Sequence, residues 1–282
     1  MKLTHAFTRL ATARLLLTSA AIASFACGGA QSGGGREAAV FPSGRVVDLS
    51  HPFDAETVYW PTAEKTFQLE KDFEGQTEGG YFYAANSFST AEHGGTHLDA
   101  PVHFAEGKQT VDQIPLTQLT GAGVVVDVSA KCEADADYQV SVADFEAWER
   151  ANGRLPRGVI LILRTGFGRR WPDRKSYMGT DERGDGAVAK LHFPGLHPDA
   201  ARWLVEGREV KAVGLDTPSI DYGQSKLFES HRILFEKNVP AFENLANLDA
   251  LPLKDFYVVA LPMKIKGGSG GPLRAVAIVK PQ

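Results

Sequence analysis

Six short runs rich in Val, Ile and Leu constrain this fold more than any other feature of the chain. They span residues 45–49, 123–128, 159–164, 210–215, 256–261 and 274–279. Most are continuous rather than alternating, the pattern of strands buried on both faces. Between them the sequence predicts helices over residues 142–151, 198–206 and 226–237. Ser141, with Asp144 three positions on, is a helix-start signal, and Pro198 suits a first turn. Strands alternating with helices argue for an α/β domain. The Gly- and Asp-rich stretch 176–190 reads as a loop over a site or an interface.

The chain has 282 residues, 43% of them hydrophobic and 23% charged, which excludes a disordered polymer. A net charge of −4 gives no electrostatic reason to expect a nucleic-acid partner. Lys2, Arg9 and Arg14 precede an apolar stretch, residues 15–26, too short to span a bilayer as a helix. Residues 1–26 are therefore expected to be an export signal, and residues 27–39 a flexible Gly-rich tether. Cys27 at their junction is the expected lipidation site of a periplasmic or cell-envelope lipoprotein, the anchor being its only membrane contact. Plain secretion, with cleavage after Ala23 or Ala26, is the alternative. No repeat or second linker follows, so residues 40–282 read as one domain. Cys132 reads as an unremarkable free thiol in a loop, and lipidation of Cys27 would leave it no disulfide partner.

The run EHGGTHLDAPVH, residues 92–103, carries the chemistry. Imidazole and carboxylate are ligands for zinc or manganese, and such an ion can turn water into a nucleophile. Gly94, Gly95 and Pro101 argue against a helix, so the backbone is expected to be extended, with His97, Asp99, Pro101 and His103 on one face. In a straight strand His93 and His97 would stand roughly 13 Å apart. The paired glycines offer the bend that brings His93 back beside His97 and Asp99. His103, beyond that triad, is placed for a general base or acid. The absence of any CxxC argues against structural zinc. By themselves His5, His51, His192 and His197 read as surface or hydrogen-bonded residues, His231 as a helix-surface histidine, and Glu243 as solvated or capping.

HGGTHLDAPVH resembles the H-x-G-T-H-x-D-x-P-x-H signature of the cyclase/kynurenine-formamidase superfamily. HFPGLHPDAARWLV, VGLDTPSID, SKLFESHRIL, FENL and ALPMKIKGGSGGPLRAV are similar to that family's later blocks, in order. The resemblance implies an α/β fold with a mixed, β-barrel-like core and flanking helices, assembled as a homodimer or homotetramer. It implies that His93, His97 and Asp99 bind a first metal and that His103 is catalytic. It further implies that His231 and Glu243, with a bridging Asp99, hold a second zinc in formamidase-like members. Isatin-hydrolase-like members resemble single-manganese enzymes, and the GGSGGP run is similar to theirs. Trp60 matches an aromatic wall for the substrate. The expected activity is metal-dependent hydrolysis of the C–N bond of a small aryl formamide or cyclic amide, with one or two Zn2+ or a Mn2+. The alternatives are lactone or ester hydrolysis, or a non-catalytic binder on the same scaffold.

Overall fold

The structure is a computed structural model that describes residues 43–281. The residues expected to form an export signal and a tether, Cys27 among them, lie outside the described residues. Among the described residues are twelve strands, beginning with β1 (Arg45–Asp48), β2 (Gln68–Gln76), β3 (Phe82–Ser89), β4 (His97–Asp99), β5 (Thr120–Asp127) and β6 (Gln139–Val140). The remainder are β7 (Ile160–Arg164), β8 (Gly195–Leu196), β9 (Ala212–Leu215), β10 (Ala241–Glu243), β11 (Phe256–Pro262) and β12 (Gly270–Val279). Seven of them close a barrel in the order β12-β11-β5-β7-β9-β10-β4, and β4 pairs back onto β12. The run from β5 through β7 and β9 to β10 is parallel, whereas β11, β12 and β4 pair antiparallel. β1 lies on the edge of β12 beyond the closure.

The barrel explains why the apolar runs are continuous. Val125, Ile160, Ile162 and Ala212 belong to one buried cluster, which strand residues such as Leu98, Phe242, Val258 and Ala275 share. Their sequence neighbours Val124, Val126, Leu161, Leu163, Val213 and Leu215 belong to a second cluster. That second cluster includes Phe145 and Trp148 of α3 (Val142–Asn152), Leu204 of α6 (Pro198–Gly207), and Leu234 and Phe235 of α7 (Glu229–Glu236). Successive residues of a strand point to opposite faces, so one face fills the barrel and the other receives the helices. Truncating a side chain as deeply buried as Phe145 would cost about 3–5 kcal/mol.

The four other α-helical segments are short. α1 (Leu116–Leu119), α2 (Ser129–Ala134), α4 (Arg174–Met178) and α5 (Asp185–Val188) punctuate the connections. α4 and α5 thus interrupt the stretch expected to be a loop. Ser141 and Asp144 form the capping box of α3, and Pro198 opens α6. α7 starts three residues later than expected because Phe228 adopts a left-handed conformation, φ 48°. Cys132 is buried in α2 rather than in a loop, and burial, with nearby carboxylates, pushes its thiol up to about 12. It is inert as a nucleophile at neutral pH.

β2 and β3 form a separate hairpin, nearly every residue of which is exposed. Leu69, Phe73, Phe82, Tyr83 and Phe88 stand among its polar residues on both faces.

Candidate metal centre and its pocket

β4 and β10 pair so that His97 faces Glu243 and Asp99 faces Ala241. Leu98 and Phe242 point into the barrel, which sends His97, Asp99 and Glu243 to the outer face, toward α7. His231, the third residue of α7, meets them there. All four are buried, at 2–3% exposure. The surface and solvated readings of His231 and Glu243 are therefore corrected: one is on the buried face of a helix, the other inside a strand.

His93 arrives by the expected bend. Gly95 takes φ 57°, its N–H donates to Val58 O, and Gly94 bridges Tyr59. The bend leaves His93 Nδ1 2.6 Å from Asp99 Oδ1. The extended face, in contrast, does not continue. β4 ends at Asp99, and Pro101–His103 is a 3-10 turn, since Pro101 has no N–H to offer a ladder. That turn stacks the His103 ring on His93, centroids 3.8 Å apart and 15° from parallel.

The centre is a meeting of acceptors. His97 Nε2 lies 3.1 Å from Asp99 Oδ1 and 3.5 Å from Glu243 Oε2. His231 Nε2 lies 3.3 Å from Asp99 Oδ2 and 3.2 Å from Glu243 Oε1. The opposite nitrogen of each histidine faces a group that fixes it as a donor. His97 Nδ1–H donates to Gly95 O at 2.9 Å, and His231 Nδ1–H to Asp221 Oδ2 at 2.6 Å. His93 Nε2–H donates to Ser269 Oγ at 2.8 Å, because that hydroxyl spends its own hydrogen on Glu92 Oε2 at 2.6 Å. Three imidazole lone pairs are thereby directed at two carboxylates. Such an arrangement needs a positive charge at its middle, either protons or a metal cation.

The proton affinities agree. Burial alone would depress His97, but the Asp99 and Glu243 carboxylates overcome it and hold the ring at about 9. Against the same burial, Asp221, Asp99 and Glu243 raise His231 well above the usual histidine range. Burial, followed by the Asp99 charge, raises Glu243, whereas the adjacent histidines overcome burial to hold Asp99 well below the usual carboxylate range. Without a cation the centre keeps its protons. Donor atoms of His97, Asp99 and Glu243 lie within 4.8 Å of one another, as do those of His93, Asp99 and His103. Both sets could hold a metal ion, and Asp99 belongs to both. The donor chemistry, nitrogen and carboxylate oxygen, fits zinc or manganese.

The centre opens into a cavity of about 250 Å³ whose walls include Val58, Tyr59, Trp60, Phe104, Pro218 and Phe228. Trp60 sets its edge against Phe228, centroids 6.2 Å apart, and also packs on Phe193. Burial pulls His103, on the rim of the cluster, down to about 4, and the neighbouring histidines outweigh part of the opposing pull of Asp99. Its ring is neutral at pH 7 and able to accept a proton.

Sequence reasoning missed four contributors. Asp221 caps the first turn of α7, accepting from the Ser230 and His231 N–H groups at 3.1 Å each, while it holds the His231 ring. Glu92 and Ser269 stand behind His93. Asn244 donates to Gly95 O at 2.7 Å and accepts from the Tyr177 hydroxyl at 2.8 Å, bracing the glycine bend. The proximity of Glu92 to His93 and the small residues around Ser269 were the available signals; Asp221 and Asn244 offered none. Of the remaining histidines, His192 pairs with Asp137, His197 caps α6, and His51 stacks on Trp171 at 4.2 Å.

Residues 47–222, more than half of the chain, match the family model described as "Putative cyclase". The chain is 33% identical over 208 residues to an isatin hydrolase of Roseibium aggregatum, covering 71% of this chain and 76% of that protein. It is 29% identical over 231 residues to a kynurenine formamidase of Bacillus cereus, covering 82% of this chain and 95% of that one. Among solved structures, isatin hydrolase A from Ralstonia solanacearum superposes with a TM-score of 0.76 at 32% identity, covering 84% of this chain and 92% of that chain. Sequence and fold point to the same lineage: this chain belongs to the cyclase family.

Proposed function

We propose that this protein is a divalent-cation-dependent hydrolase that opens the C–N bond of a small aromatic amide, a cyclic amide in preference to an N-formyl arylamine. The observation that carries the reading is the convergence of His93, His97, His231, Asp99 and Glu243 beside His103 in an apolar cavity. His93, His97 and Asp99 would hold the first cation. His231 and Glu243, with Asp99 shared, would hold a second, in a two-zinc arrangement; a single manganese would use only the first set. A bound cation supplies Lewis acidity toward a carbonyl oxygen and makes water acidic enough to ionise near neutral pH.

The side chains supply the rest. Trp60, Phe104 and Phe228 hold an aromatic ring by burial, which turns the reacting carbonyl toward the cluster. His103, kept neutral by burial, accepts the proton of the attacking water. The resulting imidazolium, more acidic than a free histidine, returns that proton to the departing nitrogen as the C–N bond breaks. Exclusion of bulk water by the apolar wall keeps the transfer between those two partners. Preference for a cyclic amide is supported by the higher identity to isatin hydrolases than to kynurenine formamidases.

Purified protein incubated with isatin and with N-formylkynurenine, in the presence of zinc or of manganese, tests the proposal. Chelator-sensitive ring opening of isatin, faster than deformylation, is the expected result. Faster deformylation would reverse the preference, and no hydrolysis of either amide with either metal would overturn the proposal.

A further inference from the structure

The GGSGGP run, residues 267–272, leads into β12 directly behind His93. Gly270 is in register with Asp99 across the β12–β4 pair. Ser269 Oγ accepts from His93 Nε2 at 2.8 Å and donates to Glu92 Oε2 at 2.6 Å. The Ser269 backbone N–H donates to the same carboxylate oxygen at 3.0 Å, which fixes the hydroxyl from two directions. The flanking glycines make the space. A Cβ on Gly268 would stand 2.7 Å from Glu92 Oε1, and one on Gly270 would overlap the Leu98 carbonyl oxygen of β4 and meet the His93 ring at 2.6 Å from Cε1 and 3.1 Å from Nδ1. Three consecutive residues thus provide room for a carboxylate, a hydroxyl bridge, and room for both the β4 backbone and the imidazole.

We propose that Glu92 and Ser269 are positioning residues for His93, and that the Gly268–Ser269–Gly270 loop exists to seat them. Resting on the assignment of His93 as a cation ligand made above, the proposal concerns how that ligand is prepared. The serine oxygen is an acceptor only while its hydrogen is committed to Glu92. With Nε2 held as a donor, Nδ1 is the nitrogen left to face Asp99 and the cation. Removing the hydroxyl frees the ring to carry its hydrogen on Nδ1, which blocks the coordinating position, and to turn about its own axis. Partners of this kind behind a metal-bound histidine are worth about 10–100-fold in metal affinity.

The test is titration of the metal-free full chain with Zn2+ or Mn2+ alone, in competition with a chromophoric chelator. Wild type, Ser269→Ala, Ser269→Thr, Glu92→Ala and His93→Ala are compared, with the thermal midpoint of each metal-free protein measured alongside. Ser269→Ala is expected to bind about 10–100-fold more weakly at an unchanged midpoint. Ser269→Thr, which keeps the hydroxyl, should recover most of the loss, and Glu92→Ala should weaken binding in the same direction as Ser269→Ala. Weakened binding by His93→Ala together with wild-type binding by Ser269→Ala would overturn the proposal and leave the ligand assignment standing. Unchanged binding by His93→Ala would overturn both. A fall in affinity that tracks a fall in midpoint, with no recovery in Ser269→Thr, would mean a structural loop only and would also overturn it.

Discussion

His231 donates through Nδ1 to Asp221 Oδ2 at 2.6 Å, which leaves its Nε2 between Asp99 and Glu243 at 3.3 and 3.2 Å. The same carboxylate caps the first turn of α7 through two backbone N–H groups. Placement of the helix and orientation of the ring are therefore one event. Asp221→Asn keeps the shape but replaces one acceptor oxygen by an amide donor. Its expected effect is a loss of about 10–100-fold in affinity for a cation bound at His231 and Glu243. Calorimetric titration of the metal-free variant with Zn2+ checks this, and wild-type affinity for every equivalent bound would show that Asp221 only caps the helix.

His103 is grouped with His93 and Asp99 by distance alone, so ligand and proton carrier are both geometrically available to it. Burial, which keeps the ring neutral, favours the carrier. His103→Ala should retain the wild-type metal content and lose about 10²–10⁴-fold in kcat. Metal analysis and steady-state kinetics on the same preparation separate the roles: loss of metal would make His103 a ligand, and retained kcat would make it neither.

Gly95 takes φ 57°, and a Cβ there would lie 2.7 Å from two carbons of the Phe53 ring. Gly95→Ala should destabilise the fold by about 1–3 kcal/mol through the left-handed backbone and the overlap with Phe53. It should also weaken metal binding, because Gly95 O fixes the His97 ring. Denaturant unfolding and metal titration check the two effects together.

His51 provides a pH dependence away from the metal centre. Burial pulls its ring down to about 4 from 6.5, against the raising influence of Asp48, and its Nε2 is buried without a hydrogen-bond partner. Between those two pH values the unfolded chain binds a proton that the folded chain refuses. Stability should consequently fall as pH drops from about 6.5 toward 4, and His51→Gln should flatten that slope between pH 7 and 5. Thermal midpoints of both proteins across that range decide it; parallel slopes would refute the assignment.

The barrel was legible where burial on both faces leaves a continuous apolar run, as in Val124–Val126 and Ile160–Leu163. β4 and β10 left no such trace. They are three residues long, and their outer faces carry His97, Asp99 and Glu243, so the strands that close the barrel look polar in sequence. The β2–β3 hairpin escaped because its aromatic residues alternate with no consistent face. Within the site, the motif located His93, His97 and Asp99, and the glycine bend followed from residue types. His231 and Glu243 were tied to them only by family resemblance, since contacts across more than a hundred residues leave no periodicity. Asp221 acts through the His231 ring and Asn244 through the Gly95 carbonyl, and hydrogen bonds of this kind between separate segments carry no local signal.

Metal content of the purified protein, by inductively coupled plasma mass spectrometry on wild type and Asp99→Ala side by side, tests the central claim most directly. Asp99 is the one residue common to both sets of converging donors. The account predicts zinc or manganese bound to the wild type at one or two equivalents per chain, and almost none in Asp99→Ala. A wild type that stays metal-free after incubation with both ions, or an Asp99→Ala protein that keeps its full complement, would contradict it.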